Sequence, residues 1–168
     1  MSEINDENIK QWSLNLSDQL SAKLKSNISF KDFDTEELIF REFIDQINGP
    51  CWTTLCENSG NQQAVIITMN YQCIIATTNI FFSNSANINH EKKESLTFTE
   101  RFIAGEISNE IIQAFETNDL TIKFTRNEPQ FNLIRPFHED ESITIYTFNW
   151  LINNDHYGKI KLCHSHVL

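Results

Sequence analysis

The sequence predicts an α+β domain in which long amphipathic helices cover a mostly antiparallel sheet. Two long stretches carry apolar residues at spacings of three, four and seven, which is typical of helices with one buried face. Other stretches alternate apolar and polar residues or are rich in β-branched residues, as strands are. These elements follow one another as helix, strand, helix, strands, two helices and strands. This order favours antiparallel neighbours covered by helices.

One long helix is predicted at residues 96–115. Thr97 and Glu100 have the spacing of a capping box, in which each side chain bonds the backbone N–H of the other residue. Gly105 costs roughly 0.5–1 kcal/mol relative to alanine inside a helix, so either another backbone approaches closely there or glycine is simply tolerated. The spacing predicts one buried stripe made of Phe98, Phe102, Ile103, Ile107, Ile111, Ile112 and Phe115.

Three more helices are predicted. The first covers residues 6–25 and buries Ile9, Trp12, Leu16, Leu20 and Leu24. The second covers residues 36–47, is capped by Asp34 or Thr35, and is stopped by Asn48-Gly49-Pro50. The third covers residues 70–82 and starts at an asparagine cap.

The predicted strands lie between and after these helices. A hairpin joins residues 51–57 to residues 62–69 through the turn at 58–61, and a second joins 142–151 to 159–163 through the turn at 153–158. Single strands are predicted at residues 27–33, 120–125 and 131–137, with a turn at 127–129 and an exposed loop at 83–95.

Length and charge limit the functions that the chain can have. Its 168 residues suit one domain, with an acidic tail at residues 1–5 and a folded module at 6–168. The net charge of −10 argues against nucleic acid and anionic membrane as partners. Apolar runs are too short to span a bilayer and no leader is recognisable, so we expect a cytoplasmic protein without membrane insertion. The four cysteines form no CxxC pair, and we expect buried, reduced thiols.

Residues 79–100, NIFFSNSANINHEKKESLTFTE, resemble the middle domain of the flagellar motor switch protein FliM. Ile80 and Phe81 match the start of the family's "LFGGxG" segment, and Leu96, Thr97 and Glu100 match its "(F/L)TxxE" helix opening. Further weak matches follow in the family's order and cover nearly the whole chain: residues 63–69, 127–131, 141–148 and 158–163.

The resemblance implies a pseudo-symmetric three-layer α/β/α fold shared with the CheC and CheX chemotaxis phosphatases. It also implies a non-enzymatic role in the flagellar C-ring, peripheral to the inner membrane at the basal body. The implied partners are FliG-like and FliN-like switch proteins, together with further copies packed side by side. No cofactor or metal is implied. A cytoplasmic ring component of type III secretion is an alternative from the same superfamily.

The chain departs from the family where the rotor protein FliG docks. Glycines at the Gly-Gly-x-Gly positions permit close backbone approach or a positive φ, but this chain has Phe82, Ser83, Asn84 and Ser85 there. We therefore expect a changed partner-binding surface, made of Phe81, Phe82, Ser83, Asn84 and Ser85. The departure favours a diverged paralogue that competes with, caps or modifies the ring.

Two other chemistries are weaker alternatives. Glu106 and Asn109 have the Glu-x-x-Asn spacing with which CheC-type phosphatases orient a water molecule, although Phe102 stands where that family has Asp or Ser. Cys163, His164, His166 and His156 are zinc-ligand types. Cys163 and His164 would point to opposite faces of a strand, so we expect no metal site.

Overall fold

The computed structural model describes residues 3–83, 95–116 and 120–165. Within these ranges it has six strands in one sheet, in the order β1-β5-β6-β3-β2-β4, and each described strand pair is antiparallel. A 3-10 turn at Phe131–Leu133 follows β4. The helices and strands are α1 (Asp6–Leu24), β1 (Ile28–Ile39), α2 (Phe40–Gln46), β2 (Cys51–Asn58), β3 (Gln63–Asn70), α3 (Tyr71–Ser83), α4 (Phe98–Gln113), β4 (Ile122–Glu128), β5 (Ser142–Ile152) and β6 (Asp155–Ser165).

Helical layers cover both faces of the sheet, which confirms the predicted α+β, three-layer fold. Alternate residues of β5 show the two cores: Phe148 and Trp150 pack under α1, α3 and α4, whereas Ile143 and Ile145 pack under α2. We call these the three-helix face and the α2 face. Because strands alternate their side chains, residue parity assigns every β5 and β3 side chain to one of the two cores.

α1 and α4 run antiparallel on the three-helix face. The indole Nε1 of Trp12 donates to the Ile111 carbonyl at 3.1 Å, and the Trp12 ring stacks on Phe115 at 5.2 Å between centroids. At the other end of the pair, Lys23 Nζ donates to Glu106 at 3.0 Å and to Glu110 at 3.2 Å. The predicted capping box of Thr97 and Glu100 is confirmed, as is the predicted first helix.

The prediction of a helix from residue 36 is wrong, because β1 continues to Ile39. Each residue from Asp34 to Ile39 has a partner on β5, so the backbone groups form a sheet ladder. α2 starts only at Phe40 and buries Phe40 and Phe43. The apolar residues at 38, 39, 43 and 44 suit a helix by their spacing, but pairing with a strand a hundred residues later overrides that local pattern.

Residues 131–137 are not a strand, although we predicted one there. The 3-10 turn is followed by irregular chain, in which Phe131, Ile134 and Phe137 fill the core of the α2 face at intervals of three. Prolines at 129 and 136 remove backbone donors that a ladder would need. The predicted turn at 127–129 is shorter, because Asn127 and Glu128 belong to β4.

Both hairpins are confirmed, with a tighter second turn than predicted. Asn153 and Asn154 have φ angles of 50° and 69°, as in the two-residue turns that match the twist of hairpin strands. β6 therefore resumes at Asp155 and contains Gly158, which we had placed in the turn.

All four cysteines are buried and free, as expected. At the N-terminus, Asn5 caps α1 and Ile4 packs against the core, while the division into tail and module stays a prediction. Most of the predicted loop at 83–95 lies outside the described residues. None of the described helices is long and apolar enough to cross a membrane.

Candidate functional site

α3 ends in two exposed aromatic side chains. Phe81 is 49% exposed and Phe82 is 63% exposed, and their rings meet edge to face with centroids 5.2 Å apart. The preceding residue, Ile80, is buried and anchors this end of the helix in the core. Ser83 is the last residue of α3, whereas Asn84 and Ser85 lie outside the described residues. The part of the predicted partner-binding surface that can be seen is therefore an aromatic pair.

α4 carries two further exposed phenylalanines, which we had wrongly placed in the core. Phe98 is 87% exposed and Phe102 is 56% exposed. The other predicted stripe residues, Ile103, Ile107, Ile111 and Phe115, are buried, and Ile112 is partly buried. The error came from counting spacings without projecting them around the helix. At about 100° per residue, Phe98 lies about 180° from Ile107, on the opposite side of α4.

Gly105 and Asn109 lie on the same side of α4, because they follow Phe102 at intervals of three and then four residues. A side chain at Gly105 would have no neighbouring atom within 4 Å among the described residues, so no contact with that part of the chain requires glycine here. Asn109 is exposed. We call the residues Phe98, Phe102, Gly105 and Asn109 the outer stripe of α4.

The outer stripe and the Phe81–Phe82 pair lie on two helices that pack against each other. In the chain they flank residues 84–94, which include Asn84 and Ser85 of the predicted partner-binding surface. Aromatic residues are enriched in protein interfaces. These four phenylalanines, which we call the exposed phenylalanines, are therefore the candidate site.

A buried polar network holds α4 in place behind the outer stripe. The Trp52 Nε1 donates to the Ser108 hydroxyl at 2.9 Å, and the Thr54 hydroxyl lies 2.9 Å from that same oxygen. Thr54 also donates to the Asn127 carboxamide oxygen at 3.0 Å, which links α4 to β2 and β4. No local sequence signal identifies these partners, because they come from segments more than fifty residues apart.

The candidate phosphatase pair lies near the edge between α1 and α4. Glu106 accepts from Lys23, which it shares with Glu110. Desolvation opposes the charge on Lys23, but the hydrogen bonds and charges of the two glutamates outweigh it and raise its pKa. Asn109 lies one turn from Glu106 and is exposed, as the spacing predicted. Our prediction is that the chain has no catalytic residues, and the phosphatase role of this pair stays the weaker alternative.

The histidines and Cys163 are not gathered into a metal site within the described residues, which contain no group of three or more potential ligands. Cys163 is buried in the core of the α2 face, whereas His164 stacks on Tyr146 on the three-helix face. His166 lies outside the described residues.

The sequence matches no family model, and no curated protein is significantly similar to it. Solved structures, however, share its fold. A chain of the FliG–FliM complex from H. pylori superposes with a TM-score of 0.79 at 11% identity, covering 96% of this chain and 94% of that one. The FliM middle domain from Vibrio alginolyticus gives a TM-score of 0.77 at 13% identity, covering 95% and 91%.

A CheC-like protein from Shewanella oneidensis is less similar. Its TM-score is 0.55 at 10% identity, and the match covers 96% of this chain and 99% of that one. The similarity to FliM middle domains thus extends along nearly the whole chain and is greater than that to this CheC-like protein. We conclude that the chain has the fold of the FliM middle domain, within the wider group of CheC-like structures.

Proposed function

We propose that this protein is a non-enzymatic interaction module of the flagellar switch type, which binds a switch protein through the exposed phenylalanines. The observation that supports the proposal best is the presence of these side chains on a FliM-like fold, next to the position where the resemblance places the family's docking loop. One of the similar structures was solved as a complex of FliM with FliG. A FliG-like protein is therefore the partner that we propose, and a cytoplasmic ring is the proposed setting.

The proposed contact is apolar. A glycine loop lets a partner approach the backbone, whereas Phe82 offers a ring that a partner must cover. Burying a phenylalanine side chain favours association by about 1.5–3 kcal/mol, and a few aromatic anchors commonly supply most of the affinity of an interface. Among the described residues, Gly105 leaves open space beside Phe102, where a partner side chain fits.

The test is binding of the purified chain to the FliG middle domain, measured by calorimetry. We expect Phe82→Ser and Phe102→Ser each to weaken binding by about tenfold or more. Leu133→Ser is the matched control, because Leu133 is also half exposed but lies in the 3-10 turn, whose neighbours Phe131 and Ile134 pack in the core of the α2 face. Equal loss of affinity in the control, or no loss in the other two, would count against the proposed surface.

A variant with glycines in the loop tests whether the natural loop residues prevent binding to FliG on an otherwise suitable fold. Replacing Phe82, Ser83 and Ser85 by glycine restores the family's loop composition. If only this variant binds FliG, the natural chain has given up the rotor contact, and a regulatory or secretion role becomes the better proposal. If neither binds, the flagellar proposal is wrong. Binding by the natural chain supports it.

A CheC-like phosphatase is the second candidate, supported by the fold similarity and by exposed Asn109 on α4. The ion pair of Glu106 with Lys23 weighs against it, because a carboxylate held by a lysine is less available to orient water. The candidate requires the chain to speed the decay of a phosphorylated response regulator, and Asn109→Ala to abolish that effect. An unchanged decay rate with the natural chain eliminates it.

A further inference from the structure

A small pocket on the α2 face combines positive charge with hydrogen-bond donors. Its volume is about 150 Å³, and it lies between the end of α2 and the sheet. Lys159 and Lys161 of β6 line one side, Thr68 of β3 lies beside them, and Gln46 and Asn48 close the pocket from the α2 side. None of the described residues that line it is acidic.

The two lysines share this face because they are two residues apart on one strand. The Lys161 ammonium lies 5.8 Å from the centre of the Phe43 ring, which holds its aliphatic stem under α2. Neither ammonium has a carboxylate within 4.0 Å among the residues that the structure describes. Both positive charges lie in a pocket whose described lining residues include no carboxylate, in a chain of net charge −10.

The carboxylates that share this row of the sheet lie further away. Asp34 is in register with Thr147, and Thr147 is in register with Lys161, so two strand spacings separate Asp34 from the lysine. That is roughly 10 Å between backbones. On the other side of Lys161, its partner on β3 is Thr68.

Thr68 supplies the second, independent observation. It is only 4% exposed, and its hydroxyl has no hydrogen-bond partner among the described residues. Buried hydroxyls are nearly always hydrogen-bonded, so an unpaired one calls for a partner that is not part of the chain. Rotation about the first side-chain torsion moves the hydroxyl to another staggered position, from which it is able to donate to an anion held beside the lysines.

We propose that this pocket binds a phosphate group, held by Lys159, Lys161 and the Thr68 hydroxyl. Lysine binds phosphate as a point charge, and the hydroxyl adds a directional donor. The carbonyl groups at the end of α2 oppose an anion, but a helix end carries only about half a charge, against two full charges from the lysines. The pocket is about half the smallest usual size for a drug-like ligand, so its volume suits the ion or one phosphoryl group.

The inference does not rest on the proposed function. It is tested by titrating the whole chain with inorganic phosphate in calorimetry, at constant ionic strength maintained with sodium chloride. We expect saturable binding at one site. Lys159→Met and Lys161→Met keep the apolar stems while removing the charges, and each should weaken binding about tenfold. Lys123→Met, on exposed β4, is the matched control and should leave binding unchanged.

Thr68→Val keeps the shape of the side chain and removes the hydroxyl, so it should weaken binding by about threefold. Circular dichroism of each variant checks that it is folded. A parallel titration with glycerol phosphate distinguishes the source of the group: binding as tight as that of phosphate indicates a phosphorylated metabolite, and binding of phosphate alone indicates the free ion.

Thermal unfolding gives a second measurement. Phosphate should raise the melting temperature of the natural chain more than that of the double variant Lys159→Met/Lys161→Met, because only a bound ligand stabilises the folded state by mass action. An equal rise in both would reflect the general stabilising effect of phosphate as a salt and would overturn the proposal. The absence of saturable heat in the natural chain would overturn it as well.

Discussion

Gly158 of β6 lies against the start of α3, where the Asn70 carboxamide accepts hydrogen bonds from the Cys73 backbone and thiol and from the Lys159 backbone. A methyl group at Gly158 would overlap the Asn70 Oδ1 and would lie only 2.6 Å from the Cys73 sulfur. No side chain fits without moving α3 away from the sheet. Glycine is required here because Asn70 and Cys73 approach its backbone closely. This gives a physical reason for the glycine that begins the family-like stretch at residues 158–163.

We expect Gly158→Ala to lower the free energy of unfolding by about 2–4 kcal/mol, since overpacking and the loss of hydrogen bonds act together. Urea denaturation measures the change. Gly105→Ala is the matched control: open space surrounds that position, and alanine favours the helix, so stability should rise by about 0.5–1 kcal/mol. If Gly158→Ala leaves the free energy of unfolding unchanged, or changes it by the same amount as Gly105→Ala, α3 is not packed as described.

Tyr146 gives the fold a pH dependence in the alkaline range. Burial, with the charge and hydrogen bond of Asp6, raises its pKa to about 12 from the ordinary value of 10.0. The folded state thus favours the neutral phenol. The contribution of Tyr146 to the free energy of unfolding is therefore complete below pH 10 and is lost as the pH rises toward 12.

Between those pH values we expect the free energy of unfolding to fall by up to about 2 kcal/mol. Urea denaturation at successive pH values measures this change. Tyr146→Phe has no phenol to ionise, and its stability should fall less over the same range. Identical pH profiles for the two proteins would contradict the proposed origin of the shift.

At the level of single elements, α4 has one side buried in the core, and its outer stripe lies on the opposite side. Ile107→Ala should cost about 2–4 kcal/mol, because it leaves a cavity in the core. The double substitution of Phe98 and Phe102 by glutamine should change stability by no more than about 0.5 kcal/mol, because both rings face solvent. Urea denaturation checks both. A large loss in the glutamine variant would place those rings in the core after all.

Elements with local signals were predictable from the sequence, and elements defined by distant partners were not. The β2–β3 hairpin, the capping box of Thr97 and the helix after Asn5 follow from nearby residues, and all three are present. The second half of β1 is a strand because of β5, which no local window contains. The exposure of Phe98 and Phe102 was available from the sequence, but only by projecting their positions around the helix.

The same distinction holds for the candidate sites. Phe81 and Phe82 were identified as candidate binding residues through the family resemblance. Whether their side chains are exposed could be decided only from the structure. The phosphate pocket was invisible in the sequence, because Thr68 and Lys161 become neighbours only through the pairing of β3 with β6.

At the level of the whole molecule, the four cysteines report on global unfolding. They lie on β2, α3 and β6, and burial raises the pKa of all four thiols, to about 12 for Cys56. We expect all four to react with a thiol reagent at one common slow rate at neutral pH, which increases with urea as the unfolded fraction does. Chain unfolded in guanidinium, the control, should react at once. Early labelling of one cysteine would reveal local opening of its element.

The place of β6 in the sheet constrains how the chain folds as it is made. β6 follows the other five strands in the chain, yet it lies between β5 and β3 and joins β1-β5 to the three strands β3-β2-β4. Until β6 has left the ribosome, β5 and β3 each present an unpaired edge, and such edges readily pair with other chains. The two halves of the sheet therefore become one core only after β6 has been made.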